Sequence, residues 1–357
     1  MADPTAGDTP EGGPGRHSSG NRNLMLGIVT VLLVIAGLRA SYPVTMPLAA
    51  AVVVVAALWP IKSRMDRVLP SFVGTTAMAL LLFCLLIGFF AAIYFSAAQI
   101  VGAFTDQQDQ LNALFQSLSQ QAEKWGLPAL DGAKTSGRLA GIAQQVLSSA
   151  YTMLGYFGFI GVLVIFGLPE VKAVRRKLRT SLEYDNRQAL IDIAGRSADQ
   201  VRSYLGAATL ASIVTGVASG LWALAVGLDL ALVWGVLNFL LNYVPVIGNV
   251  VGILPPTLYA MIQYDGWTMP AVVFAGYAVL QFIISNFVYP ALQGRSLSLS
   301  PVAIILALAF WSWVWGIAGA LIAVPLTASL VIVLQHFPRT AWIADLLAQE
   351  HGGDSGE

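Results

Sequence analysis

Charge is scarce in this chain. Asp, Glu, Lys and Arg make up 11% of its 357 residues, while 57% are hydrophobic and the mean hydropathy is +0.72. Soluble domains carry ~25% charged residues, so the composition excludes a water-soluble globule and defines an all-α polytopic membrane protein. Acidic and basic residues number 19 each, and this balance argues against a nucleic-acid binder. Cysteine is nearly absent: Cys84, inside an apolar run, forms no intrachain disulfide and no cysteine metal cluster. The histidines, His17, His336 and His351, lie in tails or at the end of the last apolar run, so no HExxH, Ser-His-Asp or Cys-His arrangement fits in the membrane. The chain also lacks a P-loop and does not itself hydrolyse ATP. It reads as a non-enzyme needing neither cofactor nor metal. Most telling, the apolar runs have no Asp or Glu in their interiors; Asp229 and Asp265 sit at their edges. A proton or sodium antiporter ordinarily needs an intramembrane carboxylate, so that class is disfavoured.

What is present comes in apolar blocks. Residues 1–22, rich in Gly, Pro, Asp and Ser, are expected to form a disordered cytoplasmic tail. Residues 23–98 hold spans 1–3, beginning with Leu24–Leu38, which reads as an uncleaved span because the tail is long and another span follows at once. The loop after span 2 carries Lys62, Arg64 and Arg67 against Asp66, which places it inside. Residues 99–148 turn polar, with Leu111, Leu114, Phe115, Leu118, Ala122 and Trp125, then Leu139, Ile142, Val146 and Leu147, at helical spacing. They predict two amphipathic helices outside the membrane, suited to an interface or a subunit contact. Span 4 occupies 149–169. A basic cytoplasmic linker helix follows over 170–203, where Lys172, Arg175, Arg176, Lys177, Arg179, Arg187, Arg196 and Arg202 outnumber the acids. Residues 204–335 form a core, and 336–357 a cytoplasmic C-terminal tail.

The core is organised around Asn238–Pro256, NFLLNYVPVIGNVVGILPP. Pro245 ends or kinks one helix, Gly248 lets the backbone turn, and Pro255 and Pro256 break the next. Broken backbone at membrane depth is tolerated only where it is buried in protein or lines a wet cavity. A second long apolar stretch, Pro301–Leu334, carries Gly316, Gly319 and Pro325. The order span 5, broken segment, span 6, broken segment predicts about six spans plus two helical hairpins in an inverted repeat, the first entering from outside and the second from inside, as in secondary transporters. If each broken segment instead crosses fully twice, the span count rises.

The polar groups within the apolar runs are neutral. Asn238 and Asn242 share a helix face and Asn249 lies just past the turn; Gln281, Ser285 and Asn286 cluster on span 6; Ser212, Thr215 and Ser219 line one face of span 5. A lone Ser or Thr here serves mostly to bond helices together. Amides that both donate and accept suit a small neutral solute bearing hydroxyls and carbonyls, and the half-helix after Gly248 adds free backbone donors. Candidate substrate-binding residues are therefore Asn238, Asn242, Asn249, Gln281, Ser285 and Asn286; Pro245, Gly248, Pro255, Pro256, Gly316, Gly319 and Pro325 are candidate hinge or tip positions. The GxxxG spacings Gly216–Gly220 and Gly248–Gly252 indicate close helix packing.

LNYVPVIGNVVGILPP (Leu241–Pro256), YPALQGRSLSLSPVAIILAL (Tyr289–Leu308) and WGIAGALIAVPLTA (Trp315–Ala328) together resemble the autoinducer-2 exporter (AI-2E) family of bacterial membrane proteins. The resemblance implies a multi-pass inner-membrane protein with both termini cytoplasmic, a homopentamer with one path per protomer, and hairpins that hold substrate during an elevator-type movement. Asn242, Pro245, Gly248 and Asn249 would fall at the first tip and Gly316, Gly319 and Pro325 in the second. It implies export of autoinducer-2 or a similar hydroxylated carbonyl compound. The alternatives are a Na+(Li+)/H+ antiporter of the same family and a non-transporting membrane scaffold that uses the amphipathic helices to bind a partner.

Overall fold

A computed structural model describes residues 17–107, scattered positions within 108–131, and residues 132–181, 184–244, 247–293, 299–338 and 340–348. It is all-helical apart from an isolated pairing of Leu299 with Ala348. In chain order the helices are α1 (His17–Ala40), α2 (Tyr42–Met65), α3 (Ser71–Asp106), α4 (Gly132–Ser181), α5 (Tyr184–Ala225), α6 (Ala231–Leu241), α7 (Ile247–Val251), α8 (Leu254–Gln263), α9 (Thr268–Ile283), α10 (Tyr289–Gln293), α11 (Pro301–His336) and α12 (Ala341–Leu347). A π-helical turn, Ile284–Val288, joins α9 to α10.

Among the described residues six helices are long and apolar enough to cross a membrane, as expected in number, but the set differs. The first run gives only a shorter apolar helix, Met25–Ala40, and the second hairpin, Pro301–His336, takes its place. Outward faces confirm the solvent: α3 exposes Leu80, Phe83 and Leu85 at 59–61%, a surface that water would not tolerate but lipid or another apolar surface would.

Three boundaries differ from the sequence reading because helices propagate more cheaply than they nucleate. α1 starts at His17, inside the stretch expected to be a tail. α4 is one 50-residue helix that fuses the second amphipathic segment, span 4 and part of the basic linker, with Pro169 inside it. α5 likewise fuses the rest of the linker to span 5. The first amphipathic segment, 111–125, falls largely outside the described residues.

The molecule packs around three clusters. Met46 and Ala50 of α2, Met78 of α3 and Ile160, Val164 and Leu168 of α4 meet Trp311, Trp315 and Ala320 of α11. Trp234, Tyr259, Val273 and Tyr277 hold the first hairpin to α9. Tyr204 and Ala208 of α5 join Leu299, Ala303, Val324, Ala328 and Ala344 at the base of the second.

Candidate transport site

The first broken segment is a hairpin that enters and leaves at one end. Gln263, at the end of α8, donates through Nε2 to the Gly227 carbonyl at 2.8 Å and accepts from the Asp229 amide at 2.9 Å. Tyr264 Oη donates to the Val226 carbonyl at 2.8 Å. The arms are pressed together at the turn: a Cβ on Gly248 would stand 2.1 Å from the Leu241 carbonyl, so only glycine fits. The α5 and α6 backbones also approach closely, since a Cβ on Gly235 would meet the Gly216 carbonyl at 2.8 Å.

The second segment folds back as well, although its helix is nearly continuous along the chain. Trp315 (φ −129°, ψ 15°) and Gly316 (φ 64°, ψ −147°) leave helical geometry. Gly316 takes a left-handed φ that disfavours any side chain. Trp311 Nε1 then reaches Thr327 Oγ1 at 3.0 Å, whereas a straight helix would hold those residues about 24 Å apart. Gly319 lies in the crossing, where a Cβ would stand 2.0 Å from the Trp311 carbonyl. At the base, Ser300 Oγ caps the first arm by accepting from the Ala303 amide, and the Ser300 amide donates to the Leu347 carbonyl. Residues 268–293 run from the base of the first hairpin toward that of the second, roughly 39 Å of helix. The hairpins therefore enter from opposite ends.

Amides join the first hairpin to its neighbours. Asn238, 1% exposed, donates through Nδ2 to the Trp234 and Gly252 carbonyls at 3.1 and 3.2 Å, and its Oδ1 accepts from Gln281 Nε2 at 3.0 Å. One side chain thus ties α6, the turn before α8, and α9. Asn242 Nδ2 donates to Ser212 Oγ at 3.0 Å, and both residues are buried. Gln281 Oε1 is buried without a partner among the described residues.

The remaining candidates occupy different settings. Asn286 is exposed and donates to the carbonyl of Phe282 on its own helix, apart from the other amides. Ser285 is half-buried within the π turn. Pro245 and the Asn249 side chain lie outside the described residues. Pro255 and Pro256 open α8 instead of breaking it, occupying the first turn where proline's missing amide costs nothing; the break itself is at Gly252–Ile253. Pro325 is buried within the returning arm of α11, beyond the tip, where its carbonyl accepts from Ser329 Oγ. Sequence reasoning missed the Trp311–Thr327 bond, for which paired tryptophans just before a glycine were the available signal, and the π turn, which left no mark in the residue pattern.

Two broken helical hairpins with their bases at opposite ends and polar groups gathered between helices match the architecture of a secondary transporter. The chain belongs to the AI-2E transporter family: the model of that family, described as AI-2E family transporter, matches residues 28–339. Among its relatives is a putative transport protein of Haemophilus influenzae, 26% identical over 90% of this chain and 95% of the relative. The AI-2 transport protein TqsA of Escherichia coli is 38% identical over 43% of this chain and 44% of its own length. The putative transport protein YhhT of E. coli is 37% identical over 52% of each. The chain thus matches about half the length of these two E. coli relatives.

Proposed function

We propose that this protein exports a small neutral polar metabolite, autoinducer-2 or a similar hydroxylated carbonyl compound, across a bacterial inner membrane. The observation that carries the reading is the buried Gln281–Asn238–Gly252 network at the first hairpin, together with apolar runs that hold no carboxylate in their interiors. Uncharged amides recognise hydroxyls and carbonyls, and with no carboxylate beside them they supply neither countercharge nor a titrating group for cation/proton exchange. The name of the relative TqsA, an AI-2 transport protein, supports the same substrate class.

In this reading both hairpins hold the solute, with Asn242, Asn249 and Ser285 extending the polar surface. The hairpins and α5 slide as an elevator against the frame of α1–α4. The basic residues around Lys62–Arg67 and Lys172–Arg202 support a cytoplasmic side for those segments and both termini. The outward apolar face of α3 suits lipid or the neighbouring protomer of a homopentamer.

Flux into inside-out vesicles and into proteoliposomes of purified protein tests the reading. Uptake of autoinducer-2, lost in the Asn242→Ala plus Asn249→Ala variant, is the result expected. A sodium-dependent pH change without metabolite uptake overturns it in favour of cation/proton exchange, and no flux of any solute overturns it in favour of a scaffold. Normal uptake by the double variant removes those two residues from the site.

A further inference from the structure

Between the first hairpin's tip and the second hairpin's base lies a group of hydroxyls that the amide network does not use. Tyr204 on α5 is 3% exposed and packs with Ala208, Val324 and Ala328, yet its hydroxyl has no hydrogen-bond partner among the described residues. The hydroxyl of Tyr289, the first residue of α10, is also buried and unpartnered among them. α10, which carries Tyr289, packs on α5, which carries Tyr204. Tyr243, beside the first tip, donates to Thr209 Oγ1 at 3.1 Å. Two of these phenols, on helices packed against one another, keep an O–H unpartnered among the described residues.

Native interiors rarely leave a hydroxyl unpaired, and two such groups on packed helices suit an oxygen brought by a ligand. The backbone is arranged to bring them together. The π turn at Ile284–Val288 inserts an extra residue immediately before Tyr289 and rotates α10 by about 100° about the helix axis, which sets the angle at which the ring meets α5. Buried polar residues Ser212, Thr215 and Ser219 continue along α5 from this group, Ser212 standing about 12 Å from Tyr204. The hydroxyl group is thus one end of a polar line whose other part is the amide network. The residues packed with Tyr204, namely Ala208, Val324 and Ala328, are apolar and carry no counter-charge, so an ion is disfavoured and an uncharged ligand is favoured.

We propose that Tyr204 and Tyr289 form a binding subsite that donates two hydrogen bonds to adjacent oxygens of a small neutral hydroxylated carbonyl compound. The inference rests on the transporter reading for the route by which ligand arrives, but not for binding itself.

Calorimetric titration of the purified full-length protein in detergent with autoinducer-2 and with dihydroxyacetone, alongside its melting temperature without ligand, tests the subsite. Tyr204→Phe and Tyr289→Phe keep each ring and remove only its O–H. Each is expected to weaken binding of the better probe about fivefold, and both together more than tenfold, the loss of neutral hydrogen bonds. The ligand-free melting temperature should hold or rise, because no unpaired hydroxyl remains buried. Unchanged affinity in the double variant, no binding by the wild type, or a lower melting temperature, which would mean that the hydroxyls have partners in the protein, each overturns the proposal. Loss of binding in the double variant with no flux by the wild type leaves the subsite standing and removes the transporter. Wild-type flux with equal binding by the variants does the reverse.

Discussion

Trp311 and Thr327 are sixteen residues apart in the chain, and the indole Nε1 of one lies 3.0 Å from the hydroxyl of the other. The bond spans the two arms of the second hairpin and is buried from end to end. A double-mutant cycle of Trp311→Phe and Thr327→Val should therefore show a coupling of about 1 kcal/mol in thermal or denaturant unfolding. Trp315, which bonds Thr45 Oγ1 on α2 at 3.2 Å instead, should show no such coupling to Thr327.

The arms approach too closely for any side chain at two glycines. Gly248→Ala would force a methyl against the Leu241 carbonyl and Gly319→Ala one against the Trp311 carbonyl. Because the obstruction is backbone and not a flexible side chain, each hairpin must open, at a cost of about 1–3 kcal/mol or more. Gly158, with open space where its Cβ would point, should accept alanine with little change. Melting temperatures of the three variants in the same detergent check the contrast.

Much of this architecture was legible from where Gly and Pro interrupt the apolar runs. Gly248 marks the first turn because the arms there approach too closely for a side chain, Gly316 marks the second because its φ disfavours one, and residues without charge in the runs mark the membrane. Helix length was less legible. Nothing in Ser181–Tyr204 says that the basic linker continues as helix into α5, since a solvated helix and a solvated loop draw on the same polar residues. The partners of Asn238 were also hidden: its four-residue spacing from Asn242 predicted a shared face, yet the two amides bond different neighbours, Gln281 on α9 and Ser212 on α5. Such pairings depend on how distant helices pack, which local pattern does not encode.

Gln281 offers a direct test of that packing. Gln281→Leu removes the donor to Asn238 Oδ1 and leaves that oxygen buried without its partner, which should cost about 1–3 kcal/mol. Asn238 still bonds the Trp234 and Gly252 carbonyls, so the first hairpin should stay folded and the loss should appear as looser attachment to α9. Faster amide hydrogen exchange across 254–263 in the variant, with 301–336 unchanged, is the expected signature.

Thiol accessibility decides the orientation of the chain. In a Cys84→Ser background, Ser117→Cys should react with an impermeant maleimide added to intact cells. Ser181→Cys and Ser296→Cys should react only after the inner face is opened. Residue 296 follows α10 and precedes α11 in the chain, so labelling of that position from outside would invert the hairpins relative to the membrane.

Asp66, at the C-terminus of α2, joins that helix to α4 through a carboxylate shared by two ammonium groups. Lys172 Nζ stands 2.6 Å and Lys62 Nζ 3.0 Å from Oδ2. The Lys62 and Asp66 side chains are 0% and 5% exposed, while that of Lys172 is 54% exposed. Asp66→Asn should therefore cost about 3 kcal/mol, chiefly because it strands the buried Lys62 charge. Lys172→Met, at the wet end of the pair, should cost under about 1 kcal/mol. The hydrogen bond from Lys172, then that from Lys62, holds the Asp66 carboxyl below its ordinary value of 3.8, against the opposing effect of burial. A depressed carboxylate stabilises the folded state fully above its unfolded value and loses that contribution as pH falls through the folded one. The gap in melting temperature between wild type and Asp66→Asn should thus stay constant from neutral pH down toward 3.8 and close only below it. A gap that closes near neutral pH would show that a group other than this carboxylate carries the link between α2 and α4.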